Sequence, residues 1–326
     1  MVDTLYQKSY KVARQYRRSI GNLRGHRRRR NGENMNNGFY TALGTPLTED
    51  GRVVEESLVK HIEQQIEAGA AGLLLMGSMG IEAQIMNSEY GKIVDIAERT
   101  VAGRLPLFVG AMDNSIARVM EKIDMIGTGK RIDGIVLTVP FYYAATAPDA
   151  VNWFISIADK SPYPIYLYDL AVVTKYKITI DVIDKIIDHP NIKGIKTVDW
   201  EMIKMIERKH PNADFDCLYS GLDAFDYAWQ LGIRKNLDGM FCCTPKNGRA
   251  MYDCLEVGDL AGARRHLDNI LLLRNTMIAN GLMRCFTECM SLLGYEGNFH
   301  QDYIAPIDTE RARKLMRDIM TSIGEL

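Results

Sequence analysis

The sequence predicts a (β/α)8 barrel carrying a helical appendage at its C-terminal side. Three observations support this. From Gly38 onward, short apolar runs alternate with amphipathic stretches of helical period, eight of each over roughly 220 residues, a usual barrel length. The runs read as buried parallel-type strands, apolar through most of their length. No Gly-rich dinucleotide fingerprint follows the first run, which argues against the competing doubly wound open sheet.

In chain order, the first strand is 39–43, followed by the turn 48–51 and a helix over 55–68 with Leu58, Ile62 and Ile66 on one face. The second strand is 72–75, with a helix over 88–101. The third is 105–110, with a helix over 116–126. The fourth is 134–138, and its helix, 148–159, opens on Pro148, a favoured first helical residue. Strand 165–168 leads to helix 180–188, and strand 192–196 to helix 199–208. Strand 216–219 leads to helix 223–231. The last strand is read at 239–243, before a helix over 245–257. Three further helical patterns, 259–279, 281–293 and 309–323, form the appendage. The domain reading is therefore a basic extension over 1–37, a barrel over 38–258 and C-terminal helices over 259–326.

Composition narrows the functional classes. The chain has 326 residues, 47% of them hydrophobic, and a formal net charge of -1, so no global field favours nucleic acid or an anionic membrane. No apolar run approaches the ~18 residues that span a bilayer. Six cysteines form no CxxC pair, and Cys285 and Cys289 stand one helical turn apart, as on a buried helix face. Without an apolar secretory segment, the expected location is the cytoplasm. Residues 1–37 differ, with ten Lys or Arg against two acids and the run Arg27-Arg28-Arg29-Arg30. That stretch reads as a disordered extension, with a nucleic-acid or targeting arm as the alternative. Met35, just before the first strand, is the expected true start, which intact mass of the native protein would check.

Active sites of such barrels lie at the C-terminal ends of the strands. Residues expected there are Thr45, the loop Gly77-Ser78-Met79-Gly80, Asp113, Tyr142, Tyr143, Tyr168, Asp169, Lys196, Thr197, Gly221, Asp223, Cys243 and Thr244. The set has no histidine and no carboxylate cluster, which disfavours a metal site or a paired-carboxylate glycosidase. It does hold one lysine. An amine enclosed by apolar strands loses solvation of its charged form, and the free amine can attack a ketone to give a Schiff base. The competing reading pairs Lys196 with a carboxylate such as Asp199, and Lys193 should lie toward the opposite strand end or in solvent. The 77–80 loop reads either as a plain turn or as a nest of backbone N–H groups for a carboxylate.

Together these residues resemble the dihydrodipicolinate synthase / N-acetylneuraminate lyase superfamily of pyruvate-dependent class I aldolases, from about Gly38 to the C-terminus. The resemblance rests on Ala42 to Leu47, the Gly77–Gly80 loop, Val139-Pro140-Phe141-Tyr142-Tyr143, Tyr168-Asp169, Gly194-Ile195-Lys196 after a gap of 28 positions, Ser220-Gly221-Leu222-Asp223, and the helix start at 258–264. It implies Lys196 as the Schiff-base lysine and Tyr168 as general acid/base, with Ser78 and Tyr142 completing a proton relay. Substrate contacts are implied at Ser78, Met79, Thr197, Gly221, Asp223, Phe241 and Cys243. It implies no cofactor beyond the covalent imine. It also implies a homo-oligomer, a dimer of dimers, in which Tyr142 reaches a neighbouring site.

Departures from the family pattern bear on the substrate. Met79 stands where a threonine is usual, Ile81 replaces a glutamate that Glu82 adjoins, and Val173 replaces the arginine that grips the synthases' second substrate. Among the sugar-binding positions of the lyases, Thr197, Gly221 and Asp223 match, whereas Ala224 and Cys243 do not. The expectation is a lyase that cleaves or forms a 2-keto-3-deoxy sugar acid, giving pyruvate and an aldehyde. The alternatives are 4-hydroxy-tetrahydrodipicolinate (dihydrodipicolinate) synthase and a non-catalytic, ligand-sensing barrel.

Overall fold

The computed structural model describes residues 35–326. Of the basic extension read over 1–37, residues 1–34 lie outside this range; residues 35–37 lie within it, with Met35 buried. Eight strands close into an all-parallel barrel in sequence order: β1 (Gly38–Ala42), β2 (Gly72–Leu75), β3 (Leu107–Gly110), β4 (Gly134–Leu137), β5 (Ile165–Tyr168), β6 (Ile192–Thr197), β7 (Asp216–Tyr219) and β8 (Lys235–Asp238). The surrounding helices are α1 (Glu55–Glu67), α2 (Asn87–Val101), α3 (Ile116–Ile126), α4 (Ala147–Ala158), the short α5 (Ala171–Thr174), α6 (Ile180–Ile186), α7 (Trp200–Lys209), α8 (Phe225–Gln230) and α9 (Pro245–Glu256). The appendage is α10 (Leu260–Asn280), α11 (Leu282–Leu292) and α12 (Thr309–Ser322).

Seven strands lie where the sequence places them, within two residues at either end. The eighth does not. The apolar segment 239–243 forms a helical turn (Met240–Cys242), and the strand is the more polar Lys235–Asp238 before it. Two of that strand's side chains are satisfied inside the barrel. Lys235 reaches Asp216 of β7 at 2.6 Å, and Leu237 joins the interior cluster. The apolar segment is buried instead between barrel and helices, where Phe241 packs on Phe39 at 5.1 Å. Hydrophobicity marks burial and cannot distinguish these two ways of achieving it.

The barrel interior is filled by a size rule readable residue by residue. Odd strands supply Tyr40, Phe108 and Tyr166 to one layer, and even strands supply Gly72, Gly134 and Gly194. A Cβ at Gly72 would lie 2.5 Å from the Tyr40 ring, and one at Gly134 would lie 2.4 Å from Tyr166. Large and small side chains therefore alternate around the layer, as taper and closure require. Met35 lies beneath, its Sδ 3.8 Å from the Tyr166 hydroxyl. This aromatic floor seals the barrel below the layer that carries Lys196.

The appendage folds back onto the barrel. The buried Glu325 carboxylate accepts from the backbone N–H of Asn247 at 2.8 Å and from its side-chain amide at 2.7 Å, at the N-terminal turn of α9. Burial pushes that carboxyl up, against the opposing pull of Asn247 and Lys246. Orphan amides and the helix dipole make this end a natural carboxylate seat.

Candidate active site

Strand alternation decides which residues of β6 reach the mouth. Gly194 and Lys196 face the interior, and Ile195 and Thr197 face the helices. Lys196 pairs in register with Tyr168 of β5, and its Nζ lies 3.9 Å from the centroid of that tyrosine's ring. Both side chains are 7% exposed. Among the described residues no carboxylate pairs with Lys196. Asp199 is engaged elsewhere, capping α7 through the Met202 N–H at 2.8 Å and pairing with Lys177 at 3.1 Å. Lys193 pairs with Asp214 on the outside, as its position predicts.

The loop after β2 is held in an uncommon conformation. Met76 (φ 51°) and Ile81 (φ 49°) are both left-handed, the second a β-branched residue for which this region is costly. They flank Gly77-Ser78-Met79-Gly80, whose N–H groups donate to no acceptor among the described residues. Close contacts lock the loop from three sides. Thr45 Oγ1 donates to the Gly80 carbonyl at 2.8 Å. A Cβ at Gly110 would fall 2.0 Å from the Met76 carbonyl oxygen, so only glycine lets β3 pass beneath. The Met79 side chain lies over Gly239. Unpaired amides beside left-handed residues make a ready seat for a carboxylate.

A buried charge cluster lies behind the same loop. Lys122 of α3 contacts Glu82 at 2.6 Å, Asp113 at 3.1 Å and the Met112 carbonyl at 2.8 Å. Burial raises the Glu82 carboxyl to about 7, against the pull of Lys122. Burial would also raise Asp113, but Arg118, the Asn114 amide and Lys122 together hold it below its usual value. Glu82 thus ties the loop to α3.

The other residues expected at the mouth divide. Ser78 is exposed, and Met79 partly buried. Tyr142 is 77% exposed, its ring edge-on to Tyr143 at 4.9 Å, and its backbone N–H bonds Asn114 at 2.8 Å. No hydrogen bond joins Ser78, Tyr142 and Tyr168 within the chain. Gly221 lies beside the Tyr219 hydroxyl, which a Cβ would approach to 2.4 Å. Val173 stands on α5, 48% exposed.

Three expected substrate contacts are placed differently. Thr197, fully buried on the outer face of β6, donates to Asp169 at 2.8 Å and accepts from the Asp199 N–H. Phe241 and Cys243 are fully buried away from the mouth, because they belong to the turn after β8. Cys243 lies 3.8 Å from Met290 Sδ, and burial together with Cys289 pushes its thiol up. Asp223 does reach the rim, but both its oxygens are taken by Arg274 of α10, at 2.7 Å and 2.5 Å.

Two charged residues at the C-terminal end of the barrel strands were not singled out from the sequence. Asp238 ends β8 with its carboxyl raised by burial, against the pull of the Met240 amide, Lys196 and Arg274. It sits in the segment read as a loop, so correct placement of β8 would have found it. Arg274 carries no local signal, since it lies 51 positions from its partner.

The family model described as "Dihydrodipicolinate synthetase family" matches residues 35–322. Relatives of similar length are named 4-hydroxy-tetrahydrodipicolinate synthase. The protein from Acidiphilium cryptum is 26% identical over 302 residues, covering 90% of this chain and 100% of its own. That from Parvibaculum lavamentivorans is 30% identical over 302 residues, with the same coverage. Similar solved structures include YagE, a prophage protein from E. coli K12 in complex with pyruvate, at TM-score 0.80 and 22% identity, covering 90% of this chain and 100% of that one. An N-acetylneuraminate lyase from Mycoplasma synoviae follows at TM-score 0.76 and 18% identity, covering 87% and 97%. At these identities the structures speak for the fold, and the family model and sequence relatives for descent. The chain belongs to the dihydrodipicolinate synthetase family, within the pyruvate-dependent class I aldolase superfamily.

Proposed function

We propose that the protein forms a Schiff base between Lys196 and the keto carbon of pyruvate, and makes or breaks a carbon–carbon bond to an aldehyde at the adjacent carbon. The observation that carries this reading is a nearly buried amine near the end of β6, without a carboxylate partner among the described residues and 3.9 Å from the centroid of the Tyr168 ring. Lys196 Nζ attacks the keto carbon, and loss of water from the carbinolamine leaves an iminium. Removal of a proton from the methyl carbon gives an enamine, which attacks the aldehyde carbon; cleavage is the reverse. Tyr168 moves the protons at the carbinolamine and at the aldehyde oxygen. The Ser78 and Met79 amides seat the pyruvate carboxylate. No cofactor is needed, since the imine is the electron sink.

Tyr142 is too exposed to serve its own chain's site, and a homo-oligomer in which it enters a neighbour's mouth fits that exposure. Nothing in the reaction calls on nucleic acid or membrane, and no described helix is long and apolar enough to cross a bilayer. The cytoplasm is the compartment that suits such an enzyme.

For the aldehyde, a sugar-type partner loses support because Thr197 and Cys243 do not line the mouth. The synthase reading gains from the relatives' names. Borohydride reduction in the presence of pyruvate should add a three-carbon mass to wild type and none to Lys196→Ala. Absence of the adduct from wild type would sink both readings.

A further inference from the structure

Arg274 reaches the rim of the barrel from α10, outside the barrel proper. Its Nη1 and Nη2 grip both oxygens of Asp223, and its Nε and Nη2 donate to the Asn275 side chain at 3.2 Å and 2.9 Å. The two partners differ in freedom. The Arg274 side chain is 20% exposed, whereas that of Asp223 is 72% exposed. The guanidinium is therefore held in place, and the carboxylate occupying it can swing into water. Asp223 follows the C-terminal end of β7, the same end of the barrel at which Lys196 stands on β6, so the fork lies on the catalytic side of the barrel.

A guanidinium keeps its charge at any working pH, and its planar fork matches a carboxylate in two parallel hydrogen bonds. Because the Asp223 carboxylate is largely in water, another carboxylate can replace it on the same fork without a change in the bonds that Arg274 makes. We propose that Arg274 determines specificity for the aldehyde half, selecting aldehydes that carry a carboxylate at their far end, with Asp223 as a placeholder that the substrate displaces. This rests on the Schiff-base reading above.

The test uses the full chain in two arms. In the first, calorimetry measures succinate, a non-reactive dicarboxylate, against wild type, Arg274→Gln and Asp223→Asn. Succinate binding should weaken tenfold or more in Arg274→Gln and tighten a few-fold in Asp223→Asn, where the fork is unmasked. A folding loss would lower thermal midpoints and weaken binding in both variants, whereas the proposal requires opposite signs. In the second, pyruvate is supplied with succinic semialdehyde or with glyceraldehyde. Wild type should favour the anionic aldehyde, and Arg274→Gln should lose that preference. Succinate binding indifferent to Arg274, or an equal loss toward both aldehydes, overturns the proposal. Arg274-dependent succinate binding in a wild type that forms no pyruvate adduct upholds the carboxylate site while the Schiff-base reading fails. A normal adduct without Arg274-dependence has the converse meaning.

Discussion

The chemistry of single residues turns on one pair. Lys196 and Tyr168 are register partners on adjacent strands, so their distance is set by backbone hydrogen bonding and not by a loop. Tyr168→Phe keeps the ring beneath the amine and removes only the hydroxyl. If the hydroxyl carries protons at the carbinolamine, turnover should fall by about 10²–10⁴-fold, the usual range for general acid–base groups. The borohydride adduct should still form, but slowly. Rapid-quench trapping would measure that rate, and an unchanged rate would remove Tyr168 from the mechanism. The pair was legible in the sequence because each residue ends a short apolar run. Thr197 shows the other side of that legibility: it follows Lys196 by one position, and a pleat of period two turns it to the opposite face.

At the scale of elements, the loop after β2 depends on the buried cluster behind it. The folded state holds the Glu82 proton up to about pH 7, while an ordinary glutamate releases it near 4.5. Between those values the folded protein binds more protons than the unfolded chain, so stability falls as pH rises through the window. The contribution is on the order of 2–3 kcal/mol across the range. Urea denaturation at pH 5 and pH 8 should show wild type losing stability relative to Glu82→Gln on going to the higher pH. Parallel profiles for the two proteins would refute the linkage. The sequence showed only that Glu82 was displaced by one position from the family's glutamate; its partner Lys122 lies 40 positions away. The misplaced β8 is the same kind of failure. Lys235 looks wrong for a buried strand until Asp216, 19 positions upstream, is seen to neutralise it.

For the whole molecule, the proposal that the exposed Tyr142 finishes a neighbouring chain's site can be tested with mixed oligomers. Lys196→Ala and Tyr142→Ala should each be inactive or nearly so. Unfolded together and refolded, they should recover on the order of a quarter of wild-type activity, because half the random dimers are mixed and each holds one intact site. No recovery, with hybrids shown to form, would place Tyr142 outside the neighbour's site. The appendage contributes at this scale too, capping α9 with Glu325 and bringing Arg274 to the rim.

The sequence by itself determined the barrel and the amine. Each depends on local patterns: apolar runs at a steady spacing, and a lysine at the end of the sixth run. Tertiary structure alone decided which expected contacts face the mouth, and which arginine reaches the rim. Thr197, Cys243 and Phe241 turn away because of strand pleat and the true end of β8. Arg274 arrives from a helix 51 residues beyond Asp223. Local sequence encodes period and burial; a charge meets its partner only where the closed barrel brings distant segments together, and no periodicity records that distance.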